Sequence, residues 1–233
     1  MTGSETRWPS AVLFDMDGTL VDSELTWERA EQAYAARFDV SWSAADARAV
    51  FGRPLTETVA TLRAHGVPVP PEQATRELIE LVAEMHSAGV EWLPGARPLL
   101  TALAEAGVRC ALVSSSYRSL MDPVLAAAEE FVPGLFATSV AGDEVVDCKP
   151  HPEPYLTAAD HLGVRPEECV VVEDSLGGAH SALAAKIPLL FVPSATADLP
   201  EAEALGASIA PSLELVGPTE LARVAAGEKL LLR

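Results

Sequence analysis

The chain is poor in several things that other protein classes need. No apolar run in its 233 residues approaches the length of a membrane span, so no transmembrane segment is expected. Basic residues are scarce, 16 against 34 acidic, and a net charge of -18 argues against a nucleic-acid or anionic membrane partner while leaving room for a local phosphate site. The three cysteines, Cys110, Cys148 and Cys169, form no CxxC pair, which removes the basis for a zinc site or a disulfide framework. The first ten residues, with Glu5 and Arg7, lead into no long apolar segment. No secretory signal is therefore expected, and the cytoplasm is the default location. There is no internal repeat or low-complexity tract. With 49% hydrophobic residues, the chain can bury one large core, or a core plus a small second unit. A monomer is expected.

What the chain does contain is concentrated first at Phe14 to Glu24, FDMDGTLVDSE. The apolar run Ala11 to Phe14 ends in Asp15 and Asp17, and such a run reads as a buried parallel strand, at whose carboxyl end ligands collect in open α/β sheets. The two aspartates share parity along an extended segment, so both can face one cleft, and chain reversal after them is expected to leave both carboxylates exposed. Crowded carboxylates repel unless a cation or proton intervenes, and a hard divalent ion suits oxygen donors. Asp and Gly are also ordinary turn residues, and DxDG alone fits a strand end followed by a turn.

Three further segments follow in order. Cys110 to Val113 is an apolar run ending in Ser114, Ser115 and Ser116, where hydroxyls and backbone amides at a helix start suit a phosphate oxygen. By themselves these serines read equally as N-caps. Asp147 to Tyr155, DCKPHPEPY, holds Lys149 in a proline-rich loop that cannot continue a helix. Cys169 to Gly178, CVVVEDSLGG, delivers Glu173 and Asp174 at the end of a β-branched run.

Taken together, DxDGTLVDSE, the serine after the second run, KPxPxxY and the VVVED segment resemble the four motifs of the haloacid dehalogenase (HAD) superfamily. Their local form is similar to the subfamily that contains β-phosphoglucomutase and many sugar-phosphate phosphatases. The resemblance implies that Asp15 is the nucleophile that forms an aspartyl-phosphate, and that Asp17 is the acid and then the base. It implies that Ser114 and Lys149 hold the phosphoryl group, with Ser115 as a further substrate contact. Mg²⁺ would be bound by Asp15, the backbone carbonyl of Asp17 and Asp174, with Glu173 nearby as an occasional ligand. It also implies a sheet of strand order 3-2-1-4-5.

Alternation of helix and strand after Pro94 independently predicts an α/β fold, a Rossmann-like parallel sheet covered by helices on both faces. The expected strands are Phe136 to Val140, Pro188 to Val192 and Ala207 to Ala210 besides those above. Helices are expected at Pro98 to Ala106, Arg118 to Glu129 and Tyr155 to Leu162. Residues 22–92 are rich in helical patterning and read as an inserted helical cap, with 1–21 and 93–233 as the core. Within the cap, Glu72 to Gly89 carries Ala74, Leu78, Leu81, Val82 and Met85 on one face. The segments Asp22 to Leu25 and Glu91 to Gly95 are the hinge candidates. Phe51 to Glu57, FGRPLTE, is expected to turn Arg53 toward substrate, although a surface arginine at a helix start is an equal reading. Lys186, where the family commonly has glycine, is expected in a left-handed conformation.

The expected function is a Mg²⁺-dependent phosphomonoesterase acting on a small sugar or polyol phosphate, a small phosphorylated metabolite. A β-phosphoglucomutase-type isomerase is the alternative, and a catalytically silent binding protein of the same fold is a third. In the mutases a histidine follows the motif I serine or threonine by four residues. Here Ser23 is followed by Trp27, which disfavours the mutase. Dehalogenases lack the second aspartate, so Asp17 argues against them.

Overall fold

The computed structural model describes residues 8–50, 53, 55–194 and 199–232. Glu5 and Arg7, and Phe51, Gly52 and Pro54 of the FGRPLTE segment, lie outside the described residues. Among those described, no helix is long and apolar enough to cross a membrane.

Six short strands form one parallel sheet: β1 (Ala11–Phe14), β2 (Arg109–Val113), β3 (Phe136–Val140), β4 (Cys169–Glu173), β5 (Leu189–Phe191) and β6 (Ser208–Ile209). Their order, β3-β2-β1-β4-β5-β6, contains the expected 3-2-1-4-5 and adds β6 at the edge. Strand β1 lies between β2 and β4, so three of the four motif segments end side by side.

Side chains on a strand alternate faces, and here each face has its own core. Val12 and Phe14 pack with Leu112, Val170 and Val172 against α5 (Ala96–Glu105), α6 (Arg118–Phe131) and α10 (Pro218–Ala225). Ala11 and Leu13 pack with Val113 and Val171 against α7 (Glu153–Leu162) and α8 (Leu176–Ala184). Strands buried on both faces read as near-continuous apolar runs, which is why AVLF and CVVV were legible. Helices α5 and α7 both begin two residues before their expected starts, taking Pro98 and Pro154 into the first turn, where a missing N–H costs nothing.

Between β1 and β2 lie α1 (Ser23–Ala36), α2 (Ala44–Val50), α3 (Leu55–Ala64) and α4 (Pro71–Ala88). They share a third apolar cluster that includes Tyr34, Trp42, Leu62, Leu78 and Val82 and is joined by Leu120 of α6. On α4 the buried stripe is Ala74, Leu78, Leu81, Val82 and His86, with Met85 only half-buried, and Gly89 ends the helix. The chain enters and leaves this cluster by two adjacent segments: Asp22 N donates to Glu91 O at 2.8 Å and Leu93 N to Leu20 O at 2.9 Å. The two hinge candidates are therefore paired side by side. Lys186 has φ 60°, the left-handed conformation expected, just after α8.

Candidate active site

Asp15 continues the sheet one residue beyond β1, with its N–H donating to Val172 O at 3.0 Å. Its side chain is buried, not exposed as the turn chemistry suggested, because Lys149 and the β4 acids close over it. Oδ1 accepts a 2.6 Å bond from Lys149 Nζ, whereas Oδ2 is buried with no hydrogen-bond partner. Burial raises this carboxyl well above the usual range. Lys149 opposes the rise, and Glu173, Asp174 and Asp17 add to it.

Lys149 uses all three of its protons, on Asp15 Oδ1, on Glu173 Oε1 at 2.7 Å and on Val113 O at 2.9 Å. Its ammonium also lies 4.8 Å from the centre of the Tyr155 ring. Burial works against the charge, but Asp15 and Glu173 outweigh it and hold the lysine protonated far above its ordinary value.

Glu173 is fully buried and fully engaged. Oε1 also accepts from Tyr155 OH at 3.0 Å, and Oε2 accepts from Asp174 N, Ser175 N and Ser175 Oγ at 3.0, 2.9 and 2.9 Å. A Cβ on Gly178 would overlap this carboxylate, so the glycine after the motif IV acids is a steric requirement. Asp174 is pushed up to about 7, first by burial and then by Glu173, against hydrogen bonds from Ser194 and Thr19. Gly18, at φ 76°, lets the chain after Asp17 pass where a Cβ would meet the Asp174 carboxylate.

Asp17 is half-buried and is aimed by two serines: Ser114 Oγ and Ser116 Oγ each donate to its Oδ2 at 2.8 Å. Ser116 N in turn donates to Ser114 Oγ at 2.9 Å. Ser114, expected on phosphate, here holds Asp17. Ser116 is not an N-cap, since α6 is preceded by Tyr117, which makes no capping bond. Ser115 is exposed at the cleft edge.

These groups form the floor of a cleft of about 670 Å³. Its opposite wall comes from α1 to α3: Ser23, Glu24, Trp27, Glu31, Val50, Leu55 and Thr58. Arg53 reaches the cleft from the rim, exposed and paired with Glu57 at 3.4 Å, rather than turned fully inward. Trp27 lines the cleft, and among the described residues no histidine does.

The donor set fits a hard divalent cation. One oxygen each from Asp15, Glu173 and Asp174 lies within 4.8 Å of the others, all buried, and Asp15 Oδ2 lacks a partner. Residues to which the sequence pattern assigns no site role are Thr19, Ser194, Tyr155 and Glu31, and Ser116 reads there as a phosphate contact or a cap. Thr19 and Tyr155 lie inside the motif segments, whereas Ser194 and Glu31 carry no signal.

The family model for haloacid dehalogenase-like hydrolases matches residues 9–186. Hexitol phosphatase A of Escherichia coli is 35% identical over 192 residues, 81% of this chain and 84% of that protein. Protein CbbY of Rhodobacter capsulatus is 31% identical over 196 residues, 79% and 85% of the two chains. The crystal structure of CbbY from Rhodobacter sphaeroides in complex with phosphate superimposes with a TM-score of 0.73 at 26% identity, covering 89% of this chain and 96% of that one.

Proposed function

The chain belongs to the haloacid dehalogenase-like hydrolases and is a phosphatase of that family, and on that premise we propose that it is a Mg²⁺-dependent phosphomonoesterase of a small sugar or polyol phosphate, working through an aspartyl-phosphate. The observation that carries the reading is Asp15: one oxygen is pinned to Lys149, and the other is buried at the cleft floor with nothing bonded to it. That sets the carboxylate beside Lys149 and leaves it an unpaired oxygen, as a nucleophile held next to a cation site needs.

In the first step a carboxylate oxygen of Asp15 forms a bond to phosphorus as the bond to the leaving oxygen breaks, and Asp17 gives that oxygen a proton. In the second, Asp17 takes a proton from water, the water oxygen bonds to phosphorus, and the Asp15–phosphorus bond breaks to release inorganic phosphate. Ser114 and Ser116 keep the Asp17 carboxylate aimed through both steps. Lys149 offsets the negative charge of Asp15 and of the incoming phosphoryl group. Asp15 and Asp174, with the Asp17 carbonyl, would hold Mg²⁺, which supplies positive charge to the phosphoryl oxygens when bound. The engaged oxygens of Glu173 suit it to positioning Lys149 more than to ligation. Residues 22–92 would act as a cap that excludes water from the cleft.

Sugar and polyol phosphates are supported by the hexitol phosphatase relative. Trp27 stands where a mutase carries histidine, which favours hydrolysis over isomerisation. The test is phosphate release from a panel of sugar, polyol and nucleotide monophosphates with and without Mg²⁺, using Asp15→Asn as the control, and isomerisation of β-glucose 1-phosphate. Release that needs Mg²⁺ and Asp15 supports the reading. Isomerisation without release makes the enzyme a mutase.

A further inference from the structure

On the wall facing the catalytic floor, one acid is buried and has no cationic counterpart among the described residues. Glu31 is 5% exposed, buried by the cap helices, yet it lines the cleft. Its Oε2 accepts a 3.0 Å bond from Trp42 Nε1, and Trp42 is itself buried, edge-on to the His65 ring at 5.2 Å. Oε1 has no hydrogen-bond partner, and the carboxylate no ion pair, among the described residues. A carboxylate anchored at one oxygen and unpaired at the other, on a residue that lines the cleft, leaves that second oxygen to accept from whatever donor the cleft holds.

Ser23, Trp27 and Glu31 are spaced by four residues on α1 and all reach the cleft, so they form one stripe. Ser23 lies two residues after Val21, which bridges to Asp17 at the catalytic floor. Eight residues of helix carry Glu31 about 12 Å beyond Ser23. Glu31 lines the same cleft as Asp15, Asp17 and Lys149 but lies on the facing wall, where the leaving group of an ester bound at the floor would extend.

We infer that Glu31 is a specificity-determining residue, whose free carboxylate oxygen accepts a hydrogen bond from a distal hydroxyl of a hexose or hexitol phosphate. This rests on the phosphatase reading and narrows its substrate class. Glu24 is a second acid on the same wall, and the cation Arg53 is at the rim and already paired. A leaving group ending in a second phosphate or a carboxylate is therefore repelled, while a neutral polyhydroxyl chain is accepted.

The experiment compares kcat/KM for hexose and hexitol 6-phosphates, p-nitrophenyl phosphate and 2-phosphoglycolate in wild type, Glu31→Ala, Glu31→Gln and Trp42→Phe. The quantity read is the ratio between substrates, with KM and kcat separated. Glu31→Ala is expected to lower the ratio of the best hexose or hexitol phosphate to p-nitrophenyl phosphate about tenfold or more, chiefly through KM. Trp42→Phe removes the anchoring N–H and is expected to shift the ratio the same way by less. Glu31→Gln, which keeps the shape and loses the charge, is expected to raise the relative use of 2-phosphoglycolate. If Glu31→Ala does not fold, the other two variants carry the test. Ratios constant to within about twofold while all activities fall together would make Glu31 a structural anchor for Trp42 and overturn the inference. Wild-type turnover of p-nitrophenyl phosphate without any hexose or hexitol phosphate would overturn it and leave the phosphatase standing. Failure on every ester would overturn both.

Discussion

The two sides of the cleft are built on opposite principles. On the floor, Asp15, Lys149, Glu173, Asp17 and Asp174 are each held by named partners, and Lys149 and Glu173 have no bonding capacity left over. On the facing wall, Trp27, Val50 and Leu55 offer apolar surface, and Glu31 is fixed by one bond. Charge that must be placed to a fraction of an ångström needs a rigid surround, whereas leaving-group recognition needs shape and a few polar contacts. The floor therefore suits a chemistry common to the family, and the wall suits the choice of substrate.

The largest effect that would break this contrast is at Lys149. Lys149→Met leaves Asp15 and Glu173 buried and facing each other without a counter-charge. A loss of about 3 kcal/mol in stability is expected, seen as a lower denaturation midpoint, together with a fall of about a hundredfold in kcat. A variant of unchanged stability would show that the floor is less tightly coupled than its bonds imply.

A smaller effect is expected at Ser116, one of two hydroxyls on Asp17 Oδ2. Ser116→Ala leaves Ser114 in place and should lower kcat by roughly three- to tenfold with KM little changed, read by steady-state kinetics. On the opposite wall, burial pushes Glu31 up to about 7 from an ordinary 4.5, against the Trp42 bond and with help from Glu28. The folded chain then retains a proton that the unfolded chain has released. Stability from this group is whole below about pH 4.5, declines as pH rises toward 7 and is level above. Glu31→Gln should therefore gain more in melting temperature relative to wild type above pH 7 than near pH 4.5. The smallest effect belongs to neither side. Lys186→Gly relieves a left-handed residue and should raise the melting temperature by a few degrees, about 1 kcal/mol, with activity intact.

The same contrast explains what could be read from residues alone. Asp15, Lys149, Glu173 and Asp174 stand at strand ends or in a proline-locked loop, where local sequence restricts position and chemistry together. The buried strands announced themselves as apolar runs, but the order β3-β2-β1-β4-β5 came from resemblance, because periodicity carries no information about neighbours. Ser116 reads locally as a phosphate contact or a cap, and its bond to Asp17 was hidden because nothing local ties a serine before a helix to a residue 99 positions away. Glu31 was hidden more deeply. Four residues after Trp27 on a helix of mixed polarity it looks like a solvated acid, and only its bond to Trp42, beyond the end of α1, sets it apart. Helices α9 (Leu199–Ala204) and α10 in the last third left too short a pattern to read.

The most direct test of the account is a rapid-quench burst with p-nitrophenyl phosphate, whose good leaving group needs no acid, in Mg²⁺ with wild type, Asp17→Asn and Asp15→Asn. Asp17→Asn should release one equivalent of nitrophenolate per enzyme and then stall, with phosphate retained on the acid-quenched protein, because the base for the second step is gone. Asp15→Asn should show no burst and retain no phosphate. A burst of equal size in Asp15→Asn would mean that another residue is the nucleophile, and the reading of Asp15 as the attacking carboxylate would fall.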